Sequence, residues 1–284
     1  MKNLYALFLL VFSLITSCSI THKVNDEIPE AALDWQLGAQ AYTFNRFTFF
    51  EAIDKIKTCD LNYVEAYPGQ IIGGGIEGKM DYKMPAEKRD KISQMLKEKG
   101  VQPVSFGVVR ADNEADWRQI FEFVKAMGME NITSEPKEKD IPLLSELCDE
   151  YKINLAIHNH PQPSHYWHPE VVLKAIEGQS KRIGACADIG HWVRSGLNPV
   201  ECLKKLEGKI IQLHMKDLNK KGVKEAHDVH WGKGVSNVDG VLKELKRQDF
   251  KGLFSVEYEH NWKNNVPDVI ESVNYFRKRV RELK

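Results

Sequence analysis

The sequence predicts an α/β fold, a single (β/α)₈ barrel over residues 35–284, and two observations carry that expectation. From Trp35 onward, short runs of alternating apolar residues exchange about eight times with amphipathic helical stretches, the pattern of strand–helix units around a parallel sheet. Eight such units in about 250 residues is the size of a closed barrel. No GxGxxG follows the first strand, which counts against an open dinucleotide-binding sheet.

Ahead of the barrel lies a separate segment. Met1-Lys2 gives a positive start, Leu4 to Ile15 is an apolar run, and Thr16-Ser17-Cys18 supplies small residues at a cleavage point, so residues 1–17 read as an export signal. Ile15-Thr16-Ser17-Cys18 also resembles the bacterial lipobox. Cys18 is therefore expected to carry lipid and to anchor an exported protein to a membrane, facing the periplasm or the cell surface. Residues 18–34 follow as a polar tether.

Strand 35–43 turns Gln40 inward and leads into helix 48–59, after which strand 62–67 turns Glu65 inward. Gly69, Gly73, Gly74, Gly75 and Gly78 then mark a mobile loop on the active face, for which a lid and a plain connection both stay open. Helix 86–99, strand 102–109 and helix 114–127 lead to strand 130–135, with Asn131, Thr133 and Glu135 inward. Helix 140–151 precedes strand 153–159, with His158 and, just past its end, His160 inward; helix 169–177 precedes strand 183–189, which places Asp188 inward. After helix 199–206, strand 210–216 divides into two faces: Ile211, Leu213 and Met215 toward the helices, Gln212, His214 and Lys216 toward the barrel axis. Helix 238–247, strand 253–259 with Ser255 and Glu257 inward, and helix 266–283 close the ring. Cys59, Cys148, Cys186 and Cys202 have no CxxC spacing and read as buried free thiols.

Strands covered on both faces ordinarily read as continuous apolar runs. These do not, and their ionisable residues fall late in each strand, where a barrel carries its active site. A buried carboxylate costs several kcal/mol unless it is paired or coordinated, so converging carboxylates beside imidazoles call for a counter-charge. One divalent metal ion held by Glu135, Asp188, His214 and Glu257 supplies it. This oxygen-rich set suits Mn²⁺ first, with Mg²⁺, Co²⁺ and Zn²⁺ as alternatives.

Four segments together resemble the xylose-isomerase-like sugar isomerase/epimerase superfamily over residues 35–284: Ile132-Thr-Ser-Glu135-Pro, Ala187-Asp188-Ile-Gly-His191, Ile211-Gln-Leu-His214-Met-Lys216-Asp217 and Val256-Glu257-Tyr-Glu259. The motifs are closest to ketose 3-epimerases and 2-keto-myo-inositol dehydratases. The resemblance implies that the four residues ligate a single metal and that Glu135 and Glu257 exchange protons on opposite faces of a sugar. His191, in its Asp-x-x-His spacing, is implied to contact substrate. His160, Lys216 and Glu65 are further candidates for substrate contact. A core hydrogen bond for His160, a salt bridge to Glu257 or Asp188 for Lys216, and a pairing with Arg110 for Glu65 stand beside those readings. Trp167, Trp192, Trp231 and Trp262 are candidates for stacking on a sugar or for covering the barrel mouth.

Lys+Arg 40 against Asp+Glu 40 leaves no net charge to drive nucleic-acid binding. A three-zinc DNA-repair site of the endonuclease IV type needs histidines where this chain has Glu65 and Pro103-Val-Ser105-Phe-Gly107, although Asp228-Val-His230 with His191 echoes part of it. Export favours an unphosphorylated sugar or keto-sugar, and Trp231-Gly-Lys-Gly234 is the one weak phosphate cradle. The expected reaction is isomerisation or epimerisation by proton abstraction next to a carbonyl. The alternatives are β-elimination, as in a dehydratase or in cleavage of a 3-keto-glycoside, and a non-catalytic sugar-binding lipoprotein.

Overall fold

Alternation along the strands sorts the chain into an outer apolar layer and a polar interior, and the computed structural model, which describes residues 28–283, closes this pattern into a ring. The barrel strands are β1 (Trp35–Gln40), β2 (Tyr63–Ala66), β5 (Gln102–Val109), β6 (Asn131–Ser134), β7 (Asn154–His158), β8 (Ile183–Asp188), β9 (Ile210–Met215) and β10 (Gly252–Val256). All neighbours are parallel, and β1 closes on β10 with Trp35 opposite Gly252 and Ala39 opposite Val256. The expected fold class is what the chain adopts.

Around the ring lie α1 (Phe49–Thr58), α2 (Ala86–Glu98), α3 (Glu114–Ala126), α4 (Ile141–Tyr151), α5 (Pro169–Ala175), α6 (Ile189–Arg194), α7 (Pro199–Lys205), α8 (Val238–Arg247) and α9 (Val266–Glu282). Each long helix buries one stripe. In α8, Val238, Val241, Leu242 and Leu245 fall at helical spacing and are all buried. Helix starts are fixed locally: Thr48 and Glu51 form a reciprocal capping box on α1, and Asn113 and Asn198 cap α3 and α7. Trp35, Phe254 and Phe276 pack as a cluster, tilted at 4.7 Å between centroids for Trp35–Phe254 and edge to face at 5.2 Å for Phe254–Phe276. Cys59, Cys148, Cys186 and Cys202 are free and buried, as expected.

The glycine-rich segment is not a free loop. It forms a hairpin, β3 (Ile71–Gly73) and β4 (Ile76–Lys79), seated on α1 and α2. Gly74 has φ +59°, and a Cβ there would stand 2.7 Å from Met95 Cε and 2.9 Å from Phe50 Cδ2. The mobile-loop expectation gives way to a turn clamped by close packing.

The signal segment 1–17, Cys18 and most of the expected tether lie outside the described residues. Within the described part of 18–34, Pro29–Leu33 form a 3₁₀ turn before β1, in which Glu30 is buried and paired with Arg277 of α9 at 3.1 Å.

Candidate metal centre

The barrel interior carries a polar column below the mouth. Glu65, at the end of β2, accepts from Thr133 Oγ1 at 2.6 Å and from Gln212 Nε2 at 3.0 Å, and Asn131 continues the chain to Gln212 at 3.1 Å. At the top of this column, Glu65 Oε2 meets His214 Nε2 at 2.8 Å. Both side chains are wholly buried. Glu65 therefore orients His214 rather than lining the cavity, and it does not pair with Arg110.

His214 is thereby left with Nδ1 toward the mouth. His158, the last residue of β7, repeats the arrangement: its Nδ1 lies 3.2 Å from Glu135 Oε1, and its Nε2 faces the same space as His214 Nδ1. Neither of those two outward nitrogens has a hydrogen-bond partner. His158 Nε2 is 3.6 Å from Asp188 Oδ2, and His214 Nδ1 is 3.0 Å from Glu257 Oε2 without hydrogen-bond alignment. A carboxylate on one ring nitrogen, with the other nitrogen left unpartnered, is the usual preparation of a metal-binding histidine.

Asp188 ends β8 and caps α6. Its Oδ1 accepts from His191 N at 2.7 Å, which leaves Oδ2 for the site. His158, Asp188, His214 and Glu257 bring one ligand atom each within 4.8 Å of one another. Two imidazole nitrogens without partners beside two carboxylates fit a divalent ion, and the site residues all lie at strand C-terminal ends.

Lys216 is the cation already present. Its buried Nζ lies 2.6 Å from Asp188 Oδ2, also bonds Glu257 Oε2, and is 3.6 Å from Glu259 Oε2. Burial opposes ionisation of Asp188 and Glu257, but the cations outweigh it and hold both well below the ordinary carboxyl range. Burial likewise opposes the charge on Lys216, and the surrounding carboxylates raise it well above its ordinary value. His191 is pushed well below its ordinary value, first by burial, and is neutral.

Glu135 stands beyond His158, outside the four-residue group. Its Oε1 takes His158 and His160, and its Oε2 takes Arg110 at 2.8 Å. Burial raises its pKa, but the two imidazoles more than offset that and keep it a carboxylate.

A cavity of about 450 Å³ opens above the centre, lined by His158, His160, His191, Arg194, Glu257 and Glu259. Tyr42, Tyr67 and Lys224 also line it. The two tyrosine rings meet edge to face at 5.2 Å, and Tyr42 meets Trp262 in the same way at 5.8 Å.

A family model described as a xylose isomerase-like TIM barrel matches residues 53–279. The chain belongs to the xylose isomerase-like TIM-barrel family. A protein of Parabacteroides distasonis ATCC 8503, known from its crystal structure, shares 34% identity over 86% of this chain and 99% of its own, with a TM-score of 0.72. A D-tagatose 3-epimerase-like protein superposes with a TM-score of 0.69 at 18% identity, over 87% of this chain and 98% of its own. Inosose dehydratase of Bacillus cereus (strain AH820) is 26% identical over 132 residues, 42% of this chain. That match spans 44% of the dehydratase, less than half its length.

Within this xylose isomerase-like barrel, the structure brings together Asp188, His214 and Glu257 of the four expected ligands, and the fourth member of the group is His158. His160 and His191 line the cavity, and Lys216 makes both of the salt bridges weighed for it. Of the four loop tryptophans, Trp192 and Trp231 are buried core residues, while Trp262 stands against Tyr42 near the mouth. Asp228 and His230 do not join His191: His230 pairs with Asp268 at 2.8 Å, and Asp228 lies beside Arg194 and Glu259. Trp231-Gly-Lys-Gly234 is no phosphate cradle either, because Asp217 Oδ2 already accepts from Gly232 N at 2.8 Å and Gly234 N at 3.0 Å. Arg194, bonded to Glu259 and His191 at 3.0 Å each, was not singled out from sequence. Its signal was its place three residues after His191 on the short helix α6.

Proposed function

We propose that the chain is a divalent-metal-dependent enzyme that moves a proton at the carbon next to a carbonyl in an unphosphorylated sugar or keto-sugar, as an isomerase or epimerase. The observation that carries this reading is the pair of unpartnered nitrogens, His158 Nε2 and His214 Nδ1, facing Asp188 and Glu257 at the floor of the cavity. Asp188, His214 and Glu257 are the common ligands, and His158 and Glu135 compete for the fourth position. Mn²⁺ is the first ion to test.

When bound, the ion supplies Lewis-acid stabilisation of negative charge on the carbonyl oxygen. Glu257 reaches the cavity and is the base for one face of the substrate. For the other face, Glu135 acts through His160: it holds His160 Nδ1, and the half-exposed ring opens to the cavity. Tyr42, Tyr67 and Trp262 offer aromatic faces and edges to the C–H surface of a sugar. Arg194 is committed to Glu259, and the loop amides to Asp217, while Lys224 is a further cation on the cavity wall.

The match to inosose dehydratase favours a second reading, in which the same carbanion expels a β-substituent, water or an aglycone, protonated by His160. Incubation with Mn²⁺ and keto-sugars in D₂O tests both. Deuterium entry at the carbon next to the carbonyl without loss of water or aglycone supports isomerase or epimerase chemistry; entry with such loss supports the lyase. Absence of exchange with ion bound supports a binding protein, and three ions per chain would revive the nuclease.

A further inference from the structure

We infer that Lys216 is the resident cation of the metal-free centre, and that a divalent ion enters by displacing its ammonium from Asp188 and Glu257 toward Glu259. The inference rests on the metal reading above. Lys216 Nζ bonds Asp188 Oδ2 at 2.6 Å and also Glu257 Oε2. Those are the two oxygens that face the unpartnered imidazole nitrogens, Oδ2 at 3.6 Å from His158 Nε2 and Oε2 at 3.0 Å from His214 Nδ1.

One pair of oxygens therefore has two claimants. Two cations on the same oxygens in a dry interior repel strongly, so ammonium and ion exclude each other. The displaced ammonium has somewhere to go: Glu259 Oε2 is 3.6 Å away on the cavity wall, held by Arg194 at 3.0 Å. The stem lies directly against Gly190, where an added Cβ would stand 2.6 Å from Lys216 Cβ and 2.8 Å from its Cδ. Movement is confined to the end of the side chain. Without Lys216, two buried carboxylates of the metal-free protein would lose the ammonium hydrogen-bonded to both of them, which is the reason for a lysine at this place. In the loaded protein the ammonium is delivered to the cavity wall, within reach of substrate.

Calorimetric titration of the chelator-treated full chain with Mn²⁺, alongside thermal unfolding with and without the ion, tests this on wild type, Lys216→Met and Glu259→Gln. Lys216→Met is expected to bind Mn²⁺ about 10-fold or more tightly, within the range of affinity changes seen for groups around a metal site. Ion-free, it should unfold at a lower temperature than wild type, and the ion should restore the difference. Glu259→Gln, at a partly exposed site, should fold normally and bind Mn²⁺ several-fold more weakly. Lys216→Met binding no tighter than wild type overturns the displacement and leaves the metal centre standing. If Lys216→Met does not fold, unchanged affinity in Glu259→Gln overturns it instead. A wild-type chain that takes up no Mn²⁺ overturns both.

Discussion

Glu135 and Glu257 are distinguished by what surrounds them. Gln keeps a carbonyl oxygen for a metal or a hydrogen bond but cannot carry a proton. Glu257→Gln and Glu135→Gln are therefore expected to retain bound Mn²⁺ and to lose turnover by at least ~10²-fold, the lower range for a general base. Full turnover in Glu135→Gln would remove it from proton transfer and leave His160 to act alone. Asp228 gives a pH prediction. Burial, with Glu259 close by, raises its pKa from 3.8 to about 8, against the pull of Lys216 and Arg194, and its Oδ1 has no hydrogen-bond partner. The folded chain thus keeps a proton on Asp228 that the unfolded chain has released between these values, so the contribution of this group to stability is greatest at the low end of the window and falls as pH rises to about 8. Asp228→Asn should flatten that slope in denaturant titrations at a series of pH values; a slope equal to wild type would assign it to other groups. The inward set of acids and imidazoles was legible from strand alternation alone. Which acid took which imidazole was not: Glu135 and His158 both fall late on adjacent strands, and the pairing depends on side-chain rotamers that periodicity does not encode.

Elements were legible where burial is one-sided. The strand alternation of β9 and the stripe of α8 each leave one arrangement that hides the apolar face, and both elements fall where the pattern puts them. The hairpin β3–β4 was read as a loop because glycines leave no face to read; what orders it is contact with Thr48, Phe50 and Met95, residues distant in sequence. Asp217 orders a second loop in a different way, through three backbone N–H groups, those of Gly232, Gly234 and Ser236. Asp217→Asn replaces one accepting oxygen with a donor and is expected to cost about 1–3 kcal/mol. Hydrogen exchange at those three amides should accelerate. Unchanged protection there would mean that the loop is held by its packing, with Trp231 buried beneath it.

At the scale of the whole molecule, the barrel has two ends with separate duties. The chain enters at the end where the strands begin, secured by Glu30 on Arg277, which also bonds Asp60. The cavity opens at the other. We propose from the sequence that Cys18 is lipidated, and Cys18→Ala is expected to move the protein from the membrane to the soluble fraction or to block its processing. Wild-type protein recovered wholly in the soluble fraction would refute the anchor.

If Cys18 carries lipid, the Glu30–Arg277 clasp bears on how the molecule would be held. Nine residues lie between Cys18 and Ile28, at most ~35 Å of chain, and Ile28 precedes β1 on the end away from the mouth. A lipid at Cys18 would thus hold the molecule by its base, on a short leash, with the mouth turned from the bilayer toward the surrounding medium. Substrates would arrive by diffusion from solution rather than along the lipid surface, and a sugar still attached to a bulky partner would meet no membrane on its way in.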